Sequence, residues 1–218
     1  AINVLNSLAH HDYIVDGIPS DGNALMQKLS AGPTNALDRR HLRNGGVRLS
    51  QLEYLTHFDT LPESVRHKVS KRWGAPATDP FVIGTDFLLP VLEIGNIVVA
   101  IQPARGYNID PAESYHDPDL VPPHGYIAFY AWLRKSYDAH AVIHLGKHGN
   151  LEWLPGKAVA LSEDCFPEAV FGAMPHLYPF IVNDPGEGAQ AKRRTSAVII
   201  DHLTPPLTRA ESYGPLKD

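Results

Sequence analysis

Residues 141–157 read AVIHLGKHGNLEWLPGK. The run Ala141-Val142-Ile143 is short, apolar and β-branched, which predicts a buried strand. Three glycines and Pro155 fall within the fourteen positions from His144 to Lys157. They exclude a stable helix, so His144, His148 and Glu152 are expected on a loop. In open α/β sheets, the loop at the end of a strand is where polar groups converge on a ligand. Two imidazoles and a carboxylate are also a donor set that borderline divalent metals such as cobalt, nickel and zinc accept.

Working outward from this stretch, helix and strand signals alternate. Gly125–Tyr137 predicts an amphipathic helix on Ile127, Tyr130, Ala131 and Arg134, followed by a strand over Ala141–Leu145. Ser162 is placed to cap a helix through Phe171, with Glu163 and Asp164 set against its dipole. A strand over Pro179–Asn183, a helix from about Glu187 to Arg194 and a strand over Ala197–Asp201 complete the pattern. Such alternation implies a parallel sheet with right-handed crossovers. The three strands end at His144, at Asn183-Asp184 and at Asp201-His202. In a parallel sheet these ends share one edge, which gathers distant polar residues at one rim.

The N-terminal part reads differently. Ile2, Val4, Leu5 and Leu8 make a helical stripe, and Tyr13-Ile14-Val15 a short strand. Ser20 is the expected cap of a helix through Leu29, stopped by Gly32-Pro33; Ser50 is the expected cap of another through Leu55. Pro62–Trp73 is a third helix, closed by Gly74. After a loop over Pro76–Pro80, Phe81–Gln102 reads as two strands joined at Glu93-Ile94-Gly95-Asn96. Pro103–Pro123 is a long loop rich in Pro, Asp, Gly and Tyr. The expected fold is α/β: a parallel sheet with flanking helices in the C-terminal part, and a helix-rich N-terminal part with a β-hairpin. The expected divisions are 1–75, 76–123 and 124–218, all of them open to being one domain of a larger subunit.

Composition narrows the function classes. The formal charge is −5 and the hydrophobic content 44%, ordinary for a globular protein. Basic residues are dispersed apart from Lys192-Arg193-Arg194, which argues against a nucleic-acid surface. No apolar run is long enough to span a bilayer and no signal-peptide pattern is present, so no membrane partner is expected. The single cysteine, Cys165, excludes an internal disulfide and favours the cytoplasm. It is expected to be a buried, inert thiol on the helix that Ser162 opens. Of the twelve histidines, His10-His11, His41, His57 and His67 lie in polar segments and are expected to be solvated.

Three blocks, HLGKHGNLEWLPGK (144–157), PHLYPFIVNDPGEGAQAKRR (175–194) and VIIDHLTPPLTRA (198–210), resemble the large subunit of the cobaltochelatases and magnesium chelatases. FLLPVLEIGNIVVAIQPARG (87–106) and the opening AINVLNSL are similar to that family as well. Lys147, Asn150 and Trp153 look more like the cobalt enzyme. Such subunits are several times longer than 218 residues, so the resemblance implies a segment of one, inactive when isolated. It also implies an ATP-dependent ligase that forms nitrogen–metal bonds in cobalamin biosynthesis. Divalent cobalt is then a substrate, and the macrocycle is of the hydrogenobyrinic acid a,c-diamide type. No G-x-x-x-x-G-K-[ST] phosphate loop is present. ATP, with its magnesium, would therefore be hydrolysed on a partner, in keeping with the AAA+-type ATPase and adaptor subunits of the family.

Inserting a metal into a tetrapyrrole requires groups that hold the ion and accept two pyrrole protons. His148, Glu152 and His144 are the expected catalytic groups, and His144, His148, Glu152 and His202 the expected metal ligands. Trp153, Lys157, Asn183, Asp184, Glu187, Lys192, Arg193 and Arg209 are the expected contacts to the macrocycle and its carboxylates. Each has a structural alternative. The histidines could bond backbone carbonyls, and Glu152 could pair with Lys147 or Lys157. Trp153 could fill the core, and Asp184-Pro185-Gly186 could be only a turn. Lys192-Arg193-Arg194 could be a solvated helix end, and Asp201 and His202 loop hydrogen-bonders. Competing readings are magnesium insertion into protoporphyrin IX, a non-catalytic module that binds a tetrapyrrole or docks the ATPase, and a metallohydrolase.

Overall fold

The computed structural model describes residues 1–37, 43, 45–107, 117–146, 149–179 and 185–201. Helix α1 (Ile2–His10) turns Leu5 inward, and α2 (Gly22–Ala31) buries Leu25 and Leu29. Asp21 caps α2, not Ser20: its Oδ1 accepts the Ala24 N–H at 2.9 Å. Tyr13-Ile14-Val15 forms no strand, and Tyr13 and Ile14 are each 56% exposed. The segment's tie to a neighbouring strand pair is the Ile14 carbonyl, which accepts the Asn96 N–H at 2.8 Å.

Strand β1 (Val47–Ser50) runs into α3 (Gln51–Phe58) through a capping box. Ser50 Oγ accepts the Glu53 N–H at 3.2 Å, and Glu53 Oε2 accepts the Ser50 N–H at 3.1 Å. Ser50→Ala is expected to lower stability by about 1 kcal/mol, read as a shift in the chemical-denaturation midpoint. Helix α4 (Glu63–Trp73) follows Pro62 and stops at Gly74, whose φ of 77° suits a residue without Cβ. Pro76–Thr78, expected as loop, closes one 3₁₀ turn.

Residues 81–102 make four short strands where two were expected: β2 (Val82–Ile83), β3 (Asp86–Leu89), β4 (Val91–Ile94) and β5 (Ile97–Ala100). The β4–β5 hairpin turns where expected, at Gly95. The earlier half instead joins β1 in an antiparallel sheet of order β1-β3-β2. Pro90 separates the two uses of this segment.

Helix α5 (His124–Ala131) and the π-helical turn Trp132–Ser136 cross the middle of the core. The expected amphipathic stripe is absent, because every residue from His124 to Leu133 is buried. A helix that is apolar all round belongs inside. Arg134 lies beyond the α-helix and hydrogen-bonds the carbonyls of Ala169 and Val170. Asp79 ties the start of α5 to its surroundings by accepting the N–H groups of Phe81 and Gly125 at 2.8 and 2.7 Å. His124 shares its Nδ1 with the Tyr54 hydroxyl at 2.6 Å. His57, expected in solvent, is buried against this core, and burial, with Arg134 and Lys135 nearby, pushes it down to about 4.

The C-terminal part is a parallel sheet of order β6-β7-β8, as expected: β6 (Val142–Ile143), α6 (Phe166–Phe171), β7 (His176–Pro179), α7 (Pro185–Arg194) and β8 (Val198–Ile200). Three local expectations change. β6 is shorter than Ala141–Leu145, and Ile143 is 37% exposed because one face of the sheet carries the packing. Ser162 caps nothing: its carbonyl accepts the Cys165 N–H at 2.8 Å, and Cys165 occupies the N-cap of α6. The middle strand lies earlier than Pro179–Asn183, of which residues 180–183 fall outside the described range.

Candidate functional site

His144 stands where β6 ends. Its N–H donates to the Leu177 carbonyl at 2.8 Å, continuing the parallel ladder by one residue. This fixes the half-buried imidazole against β7, with its ring 4.5 Å from that of Tyr178 and 6.0 Å from that of His176. Burial lowers its pKa, so the ring is neutral near pH 7.

The chain then returns to the same point. The Gly149 N–H donates to the Tyr178 hydroxyl at 3.0 Å. Asn150 is held by Gln102, the Pro103 carbonyl and the Tyr126 hydroxyl. Leu151–Trp153 closes a 3₁₀ turn within the expected loop, and it buries Leu151 and Glu152 while leaving Trp153 39% exposed. A Cβ on Gly149 would sit 2.9 Å from both carboxyl oxygens of Glu152 and 3.0 Å from Cε1 of His144. Carboxyl and imidazole thus both border the space that a side chain at 149 would fill.

Glu152 is 0% exposed, and neither carboxyl oxygen has a hydrogen-bond partner among the described residues. It forms no ion pair with Lys157, and Lys147, the other basic candidate, lies outside the described residues. Burial pushes the carboxyl up to about 7, and the Glu187 carboxylate adds to the rise. Its own backbone N–H, close enough to act on the charge but not placed to form a hydrogen bond, pulls the other way, as do Arg105 and Arg194. A carboxyl balanced between its two forms near neutral pH can take up and release a proton there.

Two arginines hold the turn. Arg105 donates to the Trp153 carbonyl at 2.6 Å. Arg194, for which the structural alternative was a solvated helix end, turns inward to the carbonyls of Glu152 and Leu154, both at 2.7 Å, and of Lys157 at 3.1 Å. Glu187, in the first turn of the same helix, is 4% exposed. Lys157, Lys192 and Arg193 are exposed, as contacts to an acidic ligand would need to be.

His176 is the residue sequence reasoning missed. It is 2% exposed and stacks on Tyr178 at 5.6 Å. The Thr195 hydroxyl gives its proton to the Ala191 carbonyl at 2.8 Å, so it accepts from His176 Nδ1 at 3.0 Å. That leaves Nε2 as a bare lone pair with no partner among the described residues. Burial, with His144 nearby, pushes the ring down to about 4. The period-2 pair His176/Tyr178 was the available signal, and it was lost because the strand was expected three residues later.

His148, Asn183, Asp184, His202 and Arg209 lie outside the described residues. Among the described residues, no group of three His, Cys, Asp or Glu side chains stands close enough to hold a metal ion. Cys165 is buried as expected. Burial raises its pKa, but N–H groups of Lys157 and Ser162, both 3.4 Å from Sγ, outweigh that and lower it.

All 218 residues match the family described as CobN/Magnesium Chelatase. The chain belongs to that family. It is 64% identical over 217 residues to the aerobic cobaltochelatase subunit CobN of a Sinorhizobium species, covering 100% of this chain and 17% of the relative. It is 34% identical over 217 residues to the chloroplastic magnesium-chelatase subunit ChlH of Oryza sativa subsp. indica, covering 99% of this chain and 15% of that protein. The solved catalytic subunit of cobaltochelatase from Mycobacterium tuberculosis superimposes with a TM-score of 0.80 at 43% identity, over 98% of this chain and 18% of that one. This family chain thus spans about a sixth of the length of its curated relatives, and it resembles the cobalt enzymes more than the magnesium one. No described helix is long and apolar enough to cross a membrane.

Proposed function

We propose that this chain is the metal- and tetrapyrrole-handling segment of a cobaltochelatase large subunit, acting in cobalamin biosynthesis in the cytoplasm. The observation that carries the reading is the Glu152 carboxyl, buried and without a hydrogen-bond partner among the described residues, on the other side of Gly149 from the neutral His144 ring at the end of a parallel strand. A buried acceptor without a partner costs stability unless something else completes it. The pyrrole N–H groups of a macrocycle would do so once binding opens the packing around the carboxyl, which is 0% exposed without ligand.

In this reading His148 and His202 escort divalent cobalt, a substrate, while Glu152 and the neutral His144 ring each accept one of the two pyrrole protons as nitrogen–metal bonds form. Trp153 lies against the ring, while Lys157, Lys192, Arg193 and Arg209, with Asn183, Asp184 and Glu187, orient its polar periphery. The nucleotide, with its magnesium, is hydrolysed on an AAA+-type partner. Imidazole donors favour cobalt, since Mg²⁺ prefers oxygen ligands and keeps its waters. The 34% identity to a magnesium-chelatase subunit makes magnesium the second metal to test.

The test is insertion by the full-length subunit with its ATPase partners, followed by macrocycle absorbance. Cobalt is expected to enter and magnesium not, and His144→Ala and His148→Ala each to lose at least about 10²-fold in rate. Equal use of the two metals would remove the cobalt assignment. Unchanged rates in both variants would make the histidines structural.

A further inference from the structure

Arg194 is half-buried at the last position of α7, where a basic side chain would ordinarily lie along the surface and favour the helix dipole. Instead its three donor nitrogens bond three carbonyls, of Glu152, Leu154 and Lys157. The stretch needs this support. The 3₁₀ turn closes on two backbone bonds of 3.3 Å each, Trp153 to Asn150 and Leu154 to Leu151, and no helix continues beyond it to take up the remaining carbonyls. A guanidinium is the one side chain with enough fixed, divergent donors to satisfy three acceptors at once. It is also the natural partner of a carboxylate. Yet among the described residues Arg194 forms no ion pair with Glu152, gripping its backbone and leaving both carboxyl oxygens open.

We propose that Arg194 is a positioning residue that acts through Glu152, holding the 152–157 turn in the shape that seats the carboxyl beside His144. This rests on Glu152 being the proton-accepting group. α7 then has two duties: its first turn brings Glu187 toward Glu152, and its last residue locks the Glu152 backbone. Lysine cannot replace it, because an ammonium is a point donor that reaches one or two of the three carbonyls.

The test is a double-mutant cycle in the full-length subunit with its ATPase partners, reading cobalt insertion, macrocycle binding by fluorescence quenching, and thermal unfolding. Arg194→Ala is expected to lower kcat by about 10²-fold, the cost of a misplaced catalytic group, with macrocycle affinity within about threefold. Arg194→Lys should recover only part of kcat. In a Glu152→Gln background, Arg194→Ala should cost nothing further, because two residues acting through one group are not additive. A full additional loss in that background, or a parental kcat in Arg194→Ala, overturns the proposal. If the Ala variant does not fold, Arg194→Lys decides: it keeps charge and stem, and parental turnover in it overturns the role of the three-carbonyl grip. If Glu152→Gln alone inserts cobalt normally, it is the reading of Glu152 that fails. If Glu152→Gln is dead and Arg194→Ala is not, this inference alone fails.

Discussion

Glu152→Gln in the full-length subunit is expected to lower metal insertion by about 10²–10⁴-fold, the loss typical of removing one general acid–base group. Macrocycle binding should survive. The substitution keeps shape and volume in a site where the parent side chain is 0% exposed, and removes the basic oxygen. A pH profile gives a second readout. Proton acceptance requires the ionised carboxyl, and burial holds this group at about 7. The insertion rate of the parent should therefore rise with pH through about 7 and level off above it. The Gln variant should lack that limb. Insertion within about threefold of the parent, far short of the expected loss, would make Glu152 a structural residue.

Gly149→Ala is expected to be nearly as damaging, for a steric reason. The new Cβ would lie 2.9 Å from both Glu152 oxygens and 3.0 Å from His144 Cε1, closer than carbon approaches either. The backbone has little room to withdraw, because the Gly149 N–H is fixed to the Tyr178 hydroxyl and Asn150 is bonded on three sides. The carboxyl, the ring or both must shift away from position 149 instead. Overpacking of this kind costs about 1–3 kcal/mol, which a large subunit tolerates, whereas displacing a catalytic group by 1 Å can cost about 10²-fold in rate. The variant should fold, bind macrocycle and turn over slowly. A crystal structure in which both side chains keep their parental positions, together with a parental rate, would show that the contact does not matter.

Several features were legible because their causes are local. The Ser50 cap, the Gly74 stop and the Gly95 turn depend on a few neighbouring residues. The parallel sheet was legible from alternation alone, since a strand–helix–strand unit has one favoured handedness. His144 at a strand end follows from the same alternation. Where two local signals competed, the sequence did not choose correctly: Asp21 outranks Ser20 as a cap, and Cys165 takes the place expected of Ser162.

What the sequence by itself determined is therefore the family, the strand–helix order and the residue types at the rim. Tertiary structure decided which of those residues are chemically special. Glu152 and Lys157 are five apart and could as well have been an ion pair as a site, yet one is fully enclosed and the other exposed. Arg193 and Arg194 are adjacent and read alike, yet only Arg194 turns inward to three carbonyls. His176 looks like any strand histidine until Thr195 spends its proton elsewhere and leaves a bare nitrogen in the interior. The physical reason is common to all three. A side chain's type is local, but its desolvation and its partners are set by whatever segment packs against it, and desolvation moves a protonation equilibrium further than any near neighbour in sequence.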